Sequence, residues 1–260
     1  MAAAVLDGLP AVAFGTVAGL AHRSGTSGAT VMRFAEKLGY RGFADLQAAV
    51  QRELSDSLRP AAERIRRRPP HDLLGRALAA ELDNVQTTLG DTDPGSFDAA
   101  VRLLATRRAS IHVVSGEAAA GIAHVLAAQL AMLRDRVVLL DGSPVRVATQ
   151  LANASNGDVA VVIDLRRYDR WLVDAVDVAL DAGVTIVALT DGPLSPFARA
   201  AAVGLVVAAE GVGPFDSHVG TLALVNALVA GVATRLRADA AVRLDRIELA
   251  WREVGALQDE

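Results

Sequence analysis

Five short runs of Ile, Val, Leu and Ala recur through the last two thirds of this chain: Ile111–Val114, Val137–Leu140, Val159–Leu165, Val184–Leu189 and Leu205–Ala208. Helix-length stretches separate them near residues 117–134, 144–154, 170–182 and 195–202, and a longer one follows from about residue 216. A run that is apolar at nearly every position has no solvent face, so each strand is buried on both sides. Crossovers of ten to fifteen residues bring the chain back to the same end of the sheet and make the strands parallel. The pattern predicts a doubly wound α/β domain, with ligands expected beyond the carboxyl ends of the strands.

The first quarter has a different period. From Phe14 to Leu54 the apolar residues follow helical spacing: Val17, Leu20 and Ala21, then the small polar cluster Ser24-Gly25-Thr26-Ser27, then a helix from about Gly28 to Leu38 stopped by Gly39. A third helix begins near Phe43 and carries Leu46, Val50 and Leu54. Short helices around a glycine-containing turn outline a small all-α helix-turn-helix domain. Between Leu58 and Pro70 the composition shifts to RPAAERIRRRPP, which cannot continue a helix through Pro69-Pro70 and reads as a linker. Its Arg64, Arg66, Arg67 and Arg68 either touch a DNA backbone or form a solvated face. A further helix is expected at about His71–Leu89. The expected organisation is a helix-turn-helix domain over residues 1–57, a linker and connecting helix over 58–94, and an α/β domain over 95–260.

Composition narrows the function classes. With 260 residues and a hydrophobic fraction of 52%, the chain can fill two cores. It has no Cys, which excludes disulfide scaffolds, thiolate zinc sites and cysteine nucleophiles. A net charge of −4 argues against coating nucleic acid wholesale but leaves room for a small DNA-reading module. The uncharged stretches Ala118–Leu133 and Gly220–Thr234 fall short of the roughly 18 residues a membrane span needs. The opening MAAAVLDGLPAV lacks the basic start and long apolar run of a signal peptide. A cytoplasmic protein without membrane contact, metal or cofactor is expected.

On a helical wheel, Val31, Phe34, Ala35 and Leu38 form one apolar stripe that should face inward, while Ala29, Arg33 and Lys37 fall on the far side with Thr30 at the flank. Ser27 can cap the helix, and Thr26 and Gly28 keep that end slim. Small residues at a helix start and guanidinium or ammonium groups on its outer face suit the major groove. Thr26, Ser27, Gly28, Ala29, Thr30, Arg33, Lys37 and Arg41 are therefore the candidate contacts to a double-stranded operator.

The string from Thr26 to Gln47, TSGATVMRFAEKLGYRGFADLQ, closely resembles the signature of RpiR/MurR-type bacterial transcription regulators. Ser27, Thr30, Val31, Arg33, Phe34, Ala35, Lys37, Leu38, Gly39, Tyr40, Gly42, Phe43 and Leu46 match its pattern across the recognition helix and the following turn. Such regulators usually begin with one more helix, for which only about a dozen residues remain before Ala13–Ala21. The resemblance thus implies a shortened start that would weaken the DNA-binding core.

The same resemblance implies that the α/β half is a sugar-isomerase (SIS) domain, the module that senses phosphosugars in these regulators. Typical SIS domains cradle phosphate with Gly- and Ser-rich loops after the first and third strands, where hydroxyls and N–H groups at a helix start complement an anion. Here the first loop reads Ser115-Gly-Glu-Ala-Ala-Ala-Gly121, in which Glu117 would repel phosphate, and the third reads Asp164-Leu-Arg-Arg-Tyr-Asp-Arg170. The arginines of the latter could bind an anion bidentately, or Asp164, Arg166, Arg167, Asp169 and Arg170 could pair among themselves or across a subunit interface. Asp141-Gly-Ser143, Thr190-Asp-Gly-Pro193 and His218 complete the strand-end candidates. The ligand-binding expectation comprises Ser115, Gly116, Glu117, Asp141, Ser143, Arg166, Arg167, Thr190 and His218, with Arg166 or Arg167 holding an anionic effector beside the N–H groups near Ser115 and Gly116.

An SIS isomerase would need a general base and an acid, and Glu117, Glu210 and His218 are the available groups, none in a recognisable motif. The chain has no GxSxG elbow, Walker loop or metal-spaced His pair; His22, His71, His112 and His124 are scattered and read as structural. Three functions stay open: a transcription regulator sensing a small anionic metabolite, an SIS-fold phosphosugar enzyme, and a ligand-free SIS scaffold. The helix-turn-helix favours the first, and no catalysis is expected. The apolar stretches at 118–133 and 219–234 exceed the needs of one sheet face, so a homodimer at least is expected.

Overall fold

The structure, a computed structural model, describes Val12 and residues 16–58, 61–66, 71–193 and 195–256. The chain divides into two compact units that part at residue 67. Arg67, Arg68, Pro69, Pro70 and the chain before Val12, where the shortened start was expected, lie outside the described residues.

The first unit holds α1 (Val17–Arg23), α2 (Gly28–Lys37), α3 (Phe43–Leu58) and the short α4 (Ala61–Arg64). Its core comprises Val12, Leu20, Ala21, Val31, Ala35, Phe43, Leu46 and Val50, with Val17, Phe34 and Tyr40 packed at its edge. Leu38 departs from the expected inward stripe. It is 51% exposed because α2 ends at Lys37 and leaves it as the cap.

The second unit begins with α5 (Leu73–Asp91) and α6 (Pro94–Leu104). Asp93 caps α6, and Pro94 at its first position needs no N–H partner; this helix is not among the segments expected from periodicity. There follow β1 (Ile111–Ser115), a 3-10 turn (Glu117–Ala119) running into α7 (Ala120–Leu133), β2 (Val137–Leu139), α8 (Pro144–Ala152), β3 (Val159–Ile163), α9 (Arg170–Asp181), β4 (Thr185–Thr190), α10 (Pro196–Ala200) and β5 (Val203–Val206). The single last helix expected from about residue 216 is in fact two, α11 (Val219–Arg235) and α12 (Arg237–Glu253), meeting at 104°.

All five strands are parallel, in the order β2-β1-β3-β4-β5. The central strand β3 is buried at every position, as its unbroken Val/Ala/Ile run requires. Its residues alternate between two cores. Val159, Val161 and Ile163 face a layer holding Val101, Leu126, Leu130, Leu224 and Leu228, while Ala160 and Val162 face Val147, Leu151, Leu172, Val176 and Phe197. Helices α6, α7, α11 and α12 therefore cover one face and α8, α9 and α10 the other.

The apolar stretches expected to make a dimer are largely used within one chain. Ala123, Leu126, Ala127, Leu130 and Leu133 of α7 and Leu224, Val225, Leu228 and Val232 of α11 are buried, and Val219 is the one large apolar side chain of these two helices that stands exposed. His112, buried on β1, lies 3.3 Å from Asp158. Burial would raise the Asp158 carboxyl, but hydrogen bonds from Ser110 and Ser155 hold it below its ordinary value. This pair staples strand starts, a structural role. Among the described residues no single helix is long and apolar enough to cross a membrane.

Candidate functional site

In the first unit the turn between α1 and α2 closes tightly. Gly25 takes φ +61°, a left-handed conformation that suits glycine, and the Thr26 N–H donates to the Ala21 carbonyl at 2.9 Å. The Ser24 and Thr26 hydroxyls lie 2.8 Å apart. Ser27 then caps α2, accepting the Thr30 N–H at 3.3 Å. Ala29, Arg33 and Lys37 are exposed along the outer face of α2, beside the part-exposed Thr26, Gly28 and Thr30. Arg41 lies beyond the helix, and its guanidinium is held by Asp45 through contacts of 3.3 Å. The helix thus presents two cations and a slim, capped start.

In the second unit the reversal of strand order falls between β1 and β3, and their carboxyl ends form the crevice where such sheets take ligands. Asp164 sits at its floor, 3% exposed. One carboxylate oxygen accepts the Leu165 N–H at 2.9 Å and the other the Asp169 N–H at 2.8 Å, so the side chain clasps its own loop. Gly116 covers it: a Cβ there would lie 2.5 Å from Asp164 Oδ1, so no other residue fits without movement. Burial, reinforced by the nearby Asp169 and Asp191 charges, raises the Asp164 carboxyl to about 6 against those two hydrogen bonds. That value would suit a general base, but both oxygens are occupied by backbone and glycine covers the group, so its task is to shape the loop.

Asp169 closes the other side. Its Oδ2 accepts the Glu117 N–H at 2.9 Å, so a carboxylate already lies at the start of the 3-10 turn leading into α7. The Gly116 N–H, offered by the sequence as part of an anion cradle, instead donates to the Ile163 carbonyl at 3.1 Å. Tyr168 donates to Asp191 Oδ1 at 2.8 Å and stacks edge-on against Phe197. Burial and the Asp191 charge push its phenol well above the ordinary value, so it remains a donor.

Arg166, expected to hold an anion, is engaged within the chain. It adopts φ +55°, and its guanidinium contacts Glu210 at 3.0 Å and Asp216 at 3.1 Å with only 16% of the side chain exposed. These partners lie beyond β5, so the arginine neither stands free nor pairs with its loop neighbours. Arg167 is exposed. His218 opens α11, and burial lowers its imidazole against the pull of Asp216 and the Ala118 carbonyl, which leaves it neutral near pH 7. Ser115, Gly116, Glu117, Arg166, Arg167 and His218 therefore gather around the crevice. Thr190 lies at the end of β4 but is fully buried, Ser143 caps α8, and Asp141 is exposed beyond edge strand β2. The sequence named Asp169 only as an ion-pair partner and Asp191 only within the strand-end turn Thr190–Pro193, and it did not select Tyr168 or Asp216. The signal for Asp169 was its place just ahead of a helix, in the segment where an anion was expected.

Two recesses open elsewhere on the sheet, the first sharing Asp191 with this floor. One of about 420 Å³ opens beyond β4 and β5, between Thr87, Asp91, Ser96 and Asp191. The other, about 380 Å³, lies at the opposite end of the sheet, where Arg107 and Arg243 are already paired with Asp239 and Asp135. No group of three or more acidic or His side chains among the described residues is placed to hold a metal.

A helix-turn-helix unit ahead of a parallel sheet with a crevice at its switch point defines a two-part protein of the SIS-regulator class. The model of the rpiR-family helix-turn-helix domain matches residues 7–57, and that of the SIS domain matches residues 104–231. The HTH-type transcriptional regulator HexR of Pseudomonas aeruginosa is 27% identical over 242 residues, spanning 90% of this chain and 82% of HexR. The sugar isomerase domain of an RpiR transcription factor from Sphaerobacter thermophilus is 34% identical with a TM-score of 0.62, covering 68% of this chain and 98% of that one. The Vibrio vulnificus NanR protein, solved in complex with ManNAc-6P, shares the fold at 22% identity and a TM-score of 0.63, over 99% of this chain and 92% of NanR. The chain belongs to the RpiR family of transcription regulators.

Proposed function

We propose that this protein is a cytoplasmic, non-enzymatic regulator that reads an operator with α2 and responds to a small anionic metabolite of the sugar-phosphate class bound at the β1–β3 crevice. The observation that carries the effector half is the Asp169 carboxylate on the Glu117 N–H. A backbone donor at a helix start already holds an anionic oxygen there, and such donors accept phosphate for the same electrostatic reason. Entry of the effector is then an exchange: its phosphate displaces Asp169, and exposed Arg167 supplies charge that Arg166, tied to Glu210 and Asp216, does not. The ligand of NanR, a sugar phosphate, agrees with this class.

A second reading has its own support. The N–H groups of Gly116 and Glu117 and the Arg166 guanidinium are all engaged within the chain, which suits a scaffold that needs no ligand. Titration of the protein with hexose and N-acetylhexosamine 6-phosphates, and with the parent sugars, separates the two. The exchange reading expects at least one phosphate ester to bind, its parent sugar not to bind, and Asp169→Asn to tighten binding several-fold by removing the internal competitor. No binding by either protein leaves the scaffold reading; equal binding of ester and parent sugar overturns the anionic one.

A further inference from the structure

Helix α12 turns one face toward the amino-terminal end of the sheet. Asp239, Val242, Arg243 and Arg246 follow the i, i+3, i+4, i+7 spacing and share that face. With Arg107 and the end of α7 they enclose the recess of about 380 Å³, a volume within the range of roughly 300–1,000 Å³ that small organic ligands occupy. Its charge is unbalanced. Among the lining residues the guanidiniums of Arg107, Arg134, Arg243 and Arg246 meet only the carboxylates of Asp135 and Asp239, in a chain of net charge −4.

Two of these cations are paired, Arg107 with Asp239 and Arg243 with Asp135. Arg134, 7% exposed, gives its N–H groups to the carbonyls of Leu104, Ala109 and Asp135 and to no carboxylate. Burial pushes its guanidinium below the ordinary value against the pull of Asp135, so an anion drawn to the recess relieves a buried charge. Arg246 is exposed and forms no ion pair among the described residues. Arg243 is fixed by an Nε–H bond to the Ala131 carbonyl at 2.9 Å, and its Nη2 has no protein acceptor among the described residues. Beside them the turn into β2 is strained. Arg136 takes φ +59°, and Arg166 at the crevice is the one other non-glycine residue with positive φ among the described residues. Such backbone is unfavourable for a long side chain and gathers at ligand sites.

The remaining lining is apolar. Leu133 and Leu236 are nearly buried in it, whereas Val242 is 70% exposed. Pinning α12 to the sheet would use the two ion pairs alone and leave Arg246 and Val242 without a task. We propose that this recess is a second ligand site that takes a small organic anion, its carboxylate or phosphate on Arg246 and the Nη2 edge of Arg243 and its apolar body on Val242 and Leu236. Guanidinium edges recognise both kinds of acid bidentately. The existing pairs yield readily, because the Asp135 and Asp239 side chains are 82% and 51% exposed and exposed ion pairs contribute little. The site stands apart from the β1–β3 crevice and does not depend on the effector reading.

The test uses the full chain and four probes: hexyl phosphate, hexanoate, inorganic phosphate and hexanol. Calorimetric titration should show saturable binding of hexyl phosphate, hexanoate or both, which also tells whether phosphate or carboxylate is the preferred acid. Inorganic phosphate and hexanol, each lacking one half of the ligand, should bind at least about tenfold more weakly. Arg246→Ala and Val242→Glu each alter an exposed side chain, so the circular dichroism spectrum should stay unchanged while affinity for the bound acid falls about tenfold. Arg167→Ala, at the crevice, should bind it as the parent does. Failure of both acids to bind at millimolar concentration, or parental affinity in Arg246→Ala, overturns the proposal. So does a loss confined to Arg167→Ala, which would put the acid in the crevice, or inorganic phosphate binding as tightly as hexyl phosphate. Should Val242→Glu fail to fold, Arg246→Ala and Arg167→Ala still decide.

Discussion

Asp164 carries a charge whose energy runs against the usual pattern for a protein carboxylate. Most such groups gain partners that lower them, and their stabilisation is lost in acid. Asp164 is raised to about 6, so between its unfolded value near 4 and 6 the folded state binds the extra proton. Stability contributed by protonation is then greatest below the unfolded value and is lost as pH rises through the folded one. Relative to Asp164→Asn, which does not titrate, the parent protein should gain about 1 kcal/mol between pH 7 and pH 5. Chemical denaturation of both proteins at the two pH values measures the difference, and a gap that stays constant would refute the assignment. On α2, Arg33→Ala should weaken operator binding by about 1–3 kcal/mol if the guanidinium reaches a base edge. Lys37→Ala should weaken all sequences alike and flatten the salt dependence by about one unit of slope, as loss of one phosphate contact does. Binding isotherms at several salt concentrations distinguish the two roles.

At the scale of the element, α5 shows why a helix can be located from its sequence while its packing cannot. Its stretch of Leu, Ala, Glu and Gln predicts a helix at about His71–Leu89, and Leu73–Asp91 is helical. Asn84 and Thr88 face inward while Leu74, Leu78 and Leu82 stand exposed, because the backbone of Glu210 and Ala208 needs partners there. Asn84→Ala would remove both side-chain partners of the Glu210 N–H and carbonyl, a loss of roughly 1–3 kcal/mol for two part-buried hydrogen bonds. Thermal unfolding should fall by several degrees, more than for Leu78→Ala, whose residue is 62% exposed; equal effects would mean that the polar bonds contribute little. The β3–α9 loop gives a similar case. Its arginines stand where the sequence places them, but Arg166 turns through a left-handed backbone toward Glu210 and Asp216, residues forty and more positions further along the chain. Arg166→Ala should loosen the 209–217 segment, measured as faster amide exchange there, while the sheet keeps its protection.

For the whole molecule, the proposed operator reading by a homodimeric form calls for two half-sites separated by one helical turn of DNA or a multiple. Scrambling one half-site should lower affinity at least tenfold, and so should inserting roughly five base pairs between them, which turns one half-site to the opposite side of the duplex. If a single half-site binds the parent protein as tightly as the full operator does, the dimeric mode of reading is wrong.

Local chemistry determined a large part of this protein. The unbroken Val/Ile/Leu runs specified buried parallel strands, and Ser27, Gly25 and the Arg33–Lys37 face specified the turn and outer surface of α2, because these depend on periodicity, caps and φ preferences within a few residues. The thirteen matched residues of that segment specified the family. Tertiary structure decided the rest. It placed the Asp169 carboxylate on the Glu117 N–H, 52 residues away, and seated Asp164 beneath Gly116. It also turned α5 so that asparagine lies inside and leucine outside. Each of these outcomes depends on which distant backbone groups lack a partner once the sheet has formed, a condition that no window of neighbouring residues contains.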